Sequence, residues 1–309
     1  MDDWSGKADE RIKASAGGDT AALAYRQADA GTIRAVVQGI SPSSGALRPQ
    51  AAARLVFNLS CAHAPDLLAH DQASASLRPY KNRYDVAASR LGGALPAGPD
   101  PRADIDAALA PLAGAGSERD LYYGAVEING AGVRFYGDLC LVLNTAAVDA
   151  AALVLDRNSF DLICAPLRDR THTGPGGAWD PAAAQGEAAN LAGRWGADLA
   201  EMAVCKVLDA GVFGARRLTA GAVSQGVLSD EDYLEVIRVG SFGAKDVDEA
   251  RVGAADVAAE GHIADRLQRG PPPDWADLLW RHRRRQADRA LNARGVRTRT
   301  VVSAGRVRA

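Results

Sequence analysis

Glu235 is the residue of this chain whose setting points most clearly to chemistry. Residues 233–239 (YLEVIRV) alternate with the period of a β-strand, so Tyr233, Glu235, Ile237 and Val239 share one face and Leu234, Val236 and Arg238 the other. A carboxylate on an apolar strand face has three uses open to it, because burying it alone is costly. It can pair with an arginine, sit at the edge of its sheet, or project from a rigid strand into an active site. The polar stretch at 224–232 (SQGVLSDED) precedes it and is placed to touch a ligand in the third case.

Three other segments carry reactive or ligand-gripping side chains. Residues 78–85 (RPYKNRYD) hold two arginines, a lysine and two tyrosines, a set that grips phosphates and stacks on a ring, or else forms an exposed loop. Tyr136-Gly137-Asp138 leads into an apolar run. Residues 156–161 (DRNSFD) read either as a hydrogen-bonding surface for a nucleotide or as an Asx-turn with an Asp/Arg pair. The chain has no P-loop lysine motif, no G-x-G-x-x-G after a strand, no G-x-S-x-G elbow and no H-E-x-x-H. Its five histidines are scattered, and His63 and His70 lack a carboxylate partner, so no metal is expected.

To position such side chains the sequence offers many short strands. They read at 53–60, 121–128, 138–143, 233–239, 249–252 and 297–303, with 152–155 either a strand or a helix end. The run at 138–143 is apolar on both faces, which predicts a central strand. Asn129-Gly130 between two apolar runs predicts a hairpin joining 121–128 to 138–143. Helices are expected at 21–39, at 255–268, and, amphipathic, from an Asp274 cap to about 293, carrying Trp275, Leu278, Leu279 and Leu291. Another begins at Pro181 behind an Asp180 cap and runs to about 210, its core stripe being Leu191, Trp195, Leu199, Met202 and Val207. Turns or loops fall at 41–44, 93–102, 170–180 (with the flexible GPGG of 174–177) and 271–273. Few strands are joined by regular crossover helices, so the class is α+β with a split, mostly antiparallel sheet and flanking helices.

Composition limits the alternatives. The chain has 309 residues, 47% of them apolar and 24% charged, with a formal net charge of −2, which excludes a wholly disordered chain. Residues 271–309 hold ten arginines against three aspartates, a net of +7, leaving −9 on the rest. That basic stretch is either a solvated helix face or a surface for an acidic or nucleic-acid partner. No apolar run reaches the roughly 18 residues of a membrane span, so no membrane partner is expected. The unpaired spacing of Cys61, Cys140, Cys164 and Cys205 fits buried thiols and a cytoplasmic folding compartment, with export by a specialised secretion machine compatible. Three parts follow: an N-terminal helical extension at 1–50, the α+β domain at 51–270, and the basic helix and tail at 271–309.

The order of several short motifs resembles a bacterial family of uncharacterised proteins with an ADP-ribosyltransferase-like fold. These are Tyr123-Gly124, Tyr136-Gly137-Asp138, Arg157-Asn158-Ser159-Phe160-Asp161, and Tyr233-Leu234-Glu235-Val236, then Gly240 or Gly243 and Asp246-Val247-Asp248-Glu249. Upstream, Tyr80-Lys81-Asn82-Arg83-Tyr84 falls where that family has a "Y-R-S-Q-F" segment. The likeness spans about residues 75–255. It implies cleavage of NAD at the nicotinamide–ribose bond and transfer of ADP-ribose to an unknown macromolecular target, as an effector or toxin would do. It also implies Glu235 as catalytic carboxylate, Ser159 as a brace for the pocket, Arg83 or Arg54 as the NAD grip, and Tyr84, Tyr136 and Tyr233 around the cofactor. The family's early "N-F-H-P-D-R" segment is reduced here to Asn58 and His63, and Tyr233 stands where arginine-modifying enzymes have the first acid of E-x-E. The target class therefore stays open, as does a non-catalytic binding module on the same fold.

Overall fold

The computed structural model describes residues 1–38, 53–74, 76–90, 100–162, 180–211, 220–228 and 232–302. The turn at 41–44, the loop at 93–99, the GPGG at 174–177, His172 and Cys164 lie outside them.

Eight strands are formed: β1 Arg54–Leu59, β2 Leu121–Glu127, β3 Leu139–Leu143, β4 Leu153–Leu155, β5 Ala192–Arg194, β6 Glu235–Val239, β7 Val247–Gly253 and β8 Arg297–Val301. They make one sheet in the order β5-β4-β6-β2-β1-β3-β7-β8. Every junction is antiparallel except β7–β8, which is parallel. The class is α+β with a mostly antiparallel sheet, and β3, buried at all five positions, is internal as its double-faced apolarity predicts.

The sheet parts between β1 and β2. Arg54, Leu55 and Val56 pair with Glu127, Val126 and Ala125. Beyond that point Phe57, Asn58 and Leu59 continue only with β3, and Leu121, Tyr122, Tyr123 and Gly124 only with β6. Residues 80–82 span the gap and satisfy its backbone. The Tyr80 hydroxyl donates to Asn58 O at 3.3 Å, and the Asn82 amide donates to Leu121 O at 3.0 Å. The Tyr80 ring is wedged in place by Phe242, stacked at 4.5 Å, and Phe57, edge-on at 5.1 Å.

The helices are α1 Trp4–Ala16, α2 Thr20–Val37, α3 Ala64–Leu68, α4 Arg83–Arg90, α5 Pro101–Ala113, α6 Pro181–Leu191, α7 Leu199–Asp209, α8 Ala220–Val227, α9 Ala254–Arg269 and α10 Trp275–Ala293. Strand alternation sorts them into two layers. Leu121, Leu153, Leu155, Ala192 and Ile237 pack with Ile105 and Leu109 of α5 and Leu191 of α6. Tyr122, Val126, Val154 and Val236 belong to the larger core with α1, α2 and α7. Residues 1–38, read from sequence as part of an extension, contribute to that core: Trp4 is fully buried and its indole N–H donates to Ala192 O at 2.9 Å. Among the described residues no helix is long and apolar enough to cross a membrane.

Two expectations are corrected. The Asn129-Gly130 turn does not close a hairpin, because β1 lies between β2 and β3. The turn instead wraps the buried Glu127 carboxylate, which accepts from the N–H groups of Ile128 (2.8 Å) and Gly132 (3.1 Å) and from the Ser224 hydroxyl (2.6 Å). The helix expected from 181 to 210 is two helices separated by β5 and a turn. Leu191, Leu199, Met202 and Val207 are buried as expected, but Leu191 faces a different layer from the other three. Asp198 breaks the helix by accepting from Arg194 N–H at 2.7 Å, and a Cβ on Gly193 would meet Met202 Sδ at 2.6 Å.

Candidate active site

A cleft of about 380 Å³ opens where β1 and β2 part, within the size range of small-molecule sites. Its floor is set by register. Val56 pairs with Ala125, and Ala125 with Glu235, so these three lie in one row across the sheet on the cleft face. The small Ala125 leaves space on this face that a larger side chain would fill.

Glu235 is 2% exposed and lines this cleft. It is not at an edge, since β6 lies between β4 and β2. Among the described residues its carboxylate is held by hydrogen bonds: Oε2 accepts from Ser159 N–H at 2.9 Å, and Oε1 lies 3.5 Å from the Tyr233 hydroxyl. Tyr233 is in turn 3.5 Å from the Tyr136 hydroxyl. Burial pushes the Glu235 carboxyl above its ordinary range, and Arg102 and Ser159 pull it back.

Arg102 enters from the first turn of α5. Its guanidinium lies 3.6 Å over the Tyr123 ring, its Nη1 donates to Ser159 Oγ at 3.0 Å, and its Nε is 3.0 Å from Asp106 Oδ1. Asp106, 1% exposed, also accepts from the hydroxyls of Tyr84 (2.9 Å) and Tyr123 (2.5 Å). Two buried carboxylates thus share one arginine. Asp106 accepts from two hydroxyls and pairs with Arg102; Glu235 is held by Ser159 and by a long contact to the Tyr233 hydroxyl. Glu235 is the carboxylate on the cleft floor, and a cationic group on a ligand beside it would be stabilised when it is ionised.

The other end of the cleft carries Asn82 with the basic Lys81 and Arg83 on either side of it in sequence. Asn82 caps α4, its Oδ1 accepting from Tyr84 N–H and Asp85 N–H, both at 3.0 Å. The same residue is tied to Leu121 O, four strand positions from Ala125 and so about 13 Å along β2 from the level of Glu235. Lys81, at the cleft wall, is exposed and makes no ion pair among the described residues. Arg83 also lines the wall but is anchored to Asp100, its Nη1 at 3.0 Å from Oδ1.

Of the residues expected at the site, Glu235, Arg83, Tyr84, Tyr136 and Tyr233 line the cleft. Ser159 is fully buried behind it, holding Glu235. Arg54 is displaced. It shares the face of Val56 and Asn58 but stands at the far end of β1, bonded to Leu143 O (2.9 Å) and Asp248 (2.6 Å). The segment at 156–161 is an Asx-turn with an Asp156–Arg157 pair, Phe160 N–H donating to Asn158 Oδ1 at 2.9 Å. Arg102 and Asp106 were missed because 93–102 reads as loop. The available signal was an Asp100 cap before Pro101 and a Gly114 stop, with Arg102 and Asp106 one turn apart.

The chain was compared with protein-family models, curated proteins and solved structures. It matches none of them. Among the described residues no group of His, Cys, Asp and Glu is arranged to hold a metal ion, and Cys61, Cys140 and Cys205 are buried free thiols.

Proposed function

We propose that this chain is an ADP-ribosyltransferase-like enzyme, with the β1–β2 cleft as its active site and NAD as its substrate. The observation that carries the reading is a buried carboxylate, Glu235, on the floor of a cleft whose far end carries Lys81 and Arg83. A dinucleotide with a cationic ring at one sugar and a diphosphate further along matches that polarity.

In this reading the C1′–N bond of the nicotinamide riboside breaks and its electron pair goes to the ring nitrogen, so nicotinamide leaves neutral. Positive charge develops on C1′ and the ribose ring oxygen, next to the Glu235 carboxylate, and is stabilised there by an interaction stronger in the transition state than in the ground state. A target nucleophile or water then bonds to C1′ and loses its proton. Ser159 fixes the carboxylate so that little reorganisation is needed during the reaction. Tyr233, with burial and Glu235 both raising its pKa, stays a neutral hydroxyl and serves as a hydrogen-bonding neighbour. Tyr84 and Tyr123 are fixed by Asp106 and shape the wall.

The test is nicotinamide release from NAD by the wild type and by Glu235→Gln. The amide keeps the shape and removes the charge, so release falls by about two to three orders of magnitude, while binding of ADP-ribose, which lacks the cationic ring, changes little. Equal release from both proteins overturns the assignment.

A further inference from the structure

Arg102 is more than a wall residue. Ser159 offers two polar groups and both are taken: its hydroxyl by Arg102 Nη1 (3.0 Å) and its N–H by Glu235 Oε2 (2.9 Å). Arg102 and Glu235 are thereby clamped to the same short turn, which holds the carboxylate's direction. The guanidinium is locked from below by the Tyr123 ring and from the side by Asp106. We propose that Arg102 is a positioning residue for Glu235, holding the carboxylate ionised and aimed through Ser159, while Asp106 draws off part of its charge.

The groups that face Glu235 support this division. Arg102 and Asp106 come from α5, Tyr123 from β2, Ser159 from the turn at 159–162, Tyr136 from the turn at 134–136, and Tyr233 from the lead into β6. Among these described groups Arg102 is the cation. Removing it leaves the buried Glu235 among neutral hydroxyls and a second carboxylate. Removing the charge of Asp106 has the opposite effect, since the whole guanidinium charge then acts on Glu235. Opposite shifts from two neighbours on one helix are not what a merely structural role would produce.

The proposal rests on the enzyme reading only for its activity arm, and its main test needs no turnover. Urea unfolding of the full chain is measured from about pH 4 to about pH 9 for the wild type, Glu235→Gln, Arg102→Gln, Arg102→Lys, Asp106→Asn and the Arg102→Gln/Glu235→Gln pair. A carboxyl whose native pKa is raised is favoured protonated, so its stability contribution is full at low pH and is lost as pH rises through the native pKa. Compared with Glu235→Gln, the wild type shows that loss. In Arg102→Gln the midpoint of the loss moves up by about one pH unit or more; in Arg102→Lys it stays near the wild-type position; in Asp106→Asn it moves down. The double variant shows no loss. A wild-type midpoint in Arg102→Gln, or an upward shift that persists without Glu235, overturns the proposal. If Arg102→Gln does not fold, Asp106→Asn decides: a midpoint that stays put or rises overturns it. In the activity arm, Arg102→Gln shifts the pH profile of nicotinamide release upward and Arg102→Lys restores it. A wild type that releases no nicotinamide sinks the enzyme reading but leaves the unfolding comparison to stand or fall by itself.

Discussion

At the scale of single residues the cleft depends on polar groups that each satisfy something the sheet has left open. Tyr80 is the clearest case, since its hydroxyl covers a β1 carbonyl that has no β2 partner. Tyr80→Phe removes that donor but keeps the ring between Phe57 and Phe242, so the expected loss is about 1 kcal/mol, read from the urea midpoint at constant slope. Glu235 was legible in the sequence because period-two alternation alone decides its face. Arg54, expected from the resemblance, could not be placed this way, because which end of β1 the cleft uses depends on where β1 and β2 part, a property of two strands more than sixty residues apart. Arg102 was hidden for a different reason. Its α5 setting follows a Gly/Pro-rich stretch that reads as loop, and its partners Ser159 and Tyr123 are distant in sequence.

At the scale of elements, the parting of the sheet is guarded by a glycine. A Cβ on Gly124 would lie 2.6 Å from Val56 O and 2.8 Å from Leu55 Cδ1, one residue beyond the last paired step between β1 and β2. Gly124→Ala is therefore expected to destabilise the fold by about 1–3 kcal/mol through overpacking, seen as a lower Tm, and to weaken NAD binding with Glu235 untouched. Strand positions and helix caps were legible where local chemistry sets them: Asp180 before Pro181 and Asp274 before Trp275 both cap helices as read. Pairing was not. An Asn-Gly turn favours a hairpin locally, yet β1 competes for the β2 edge, and the buried Glu127 uses the turn's own N–H groups. The long helix failed at β5 because an apolar stripe at helical spacing cannot reveal that three of its residues add a strand to a distant sheet.

At the scale of the molecule, the uneven charge of the sequence becomes internal. Much of the basic C-terminal region pairs with the acidic body: Arg284 and Arg285 with Glu260, Arg294 with Asp71, and Arg297 and Arg299 with Glu249. Glu249, buried between Arg251 and these β8 side chains, has its carboxyl held below the ordinary range by those guanidinium groups. The sign is opposite to that of Glu235. Its stability contribution is full above the unfolded-state value and is lost as pH falls through the lower native one. Acid should thus loosen β8 from β7, seen as faster amide exchange at residues 297–301, and Glu249→Gln should remove that acid sensitivity. The strand order has one more consequence, for the timing of assembly on the ribosome. β1, β2 and β3 emerge early and can pair at once, but β4 and β5 then have no route into the sheet until β6 is made, because β6 is the strand between β4 and β2. β6 also carries Glu235. The nascent chain therefore leaves the β2 and β4 edges open until β6, with the residue proposed to do the chemistry, arrives to close both. A chain stopped short of β6 lacks Glu235 and leaves the β2 and β4 edges unpaired, so joining the two halves of the sheet and placing the cleft carboxylate are one event.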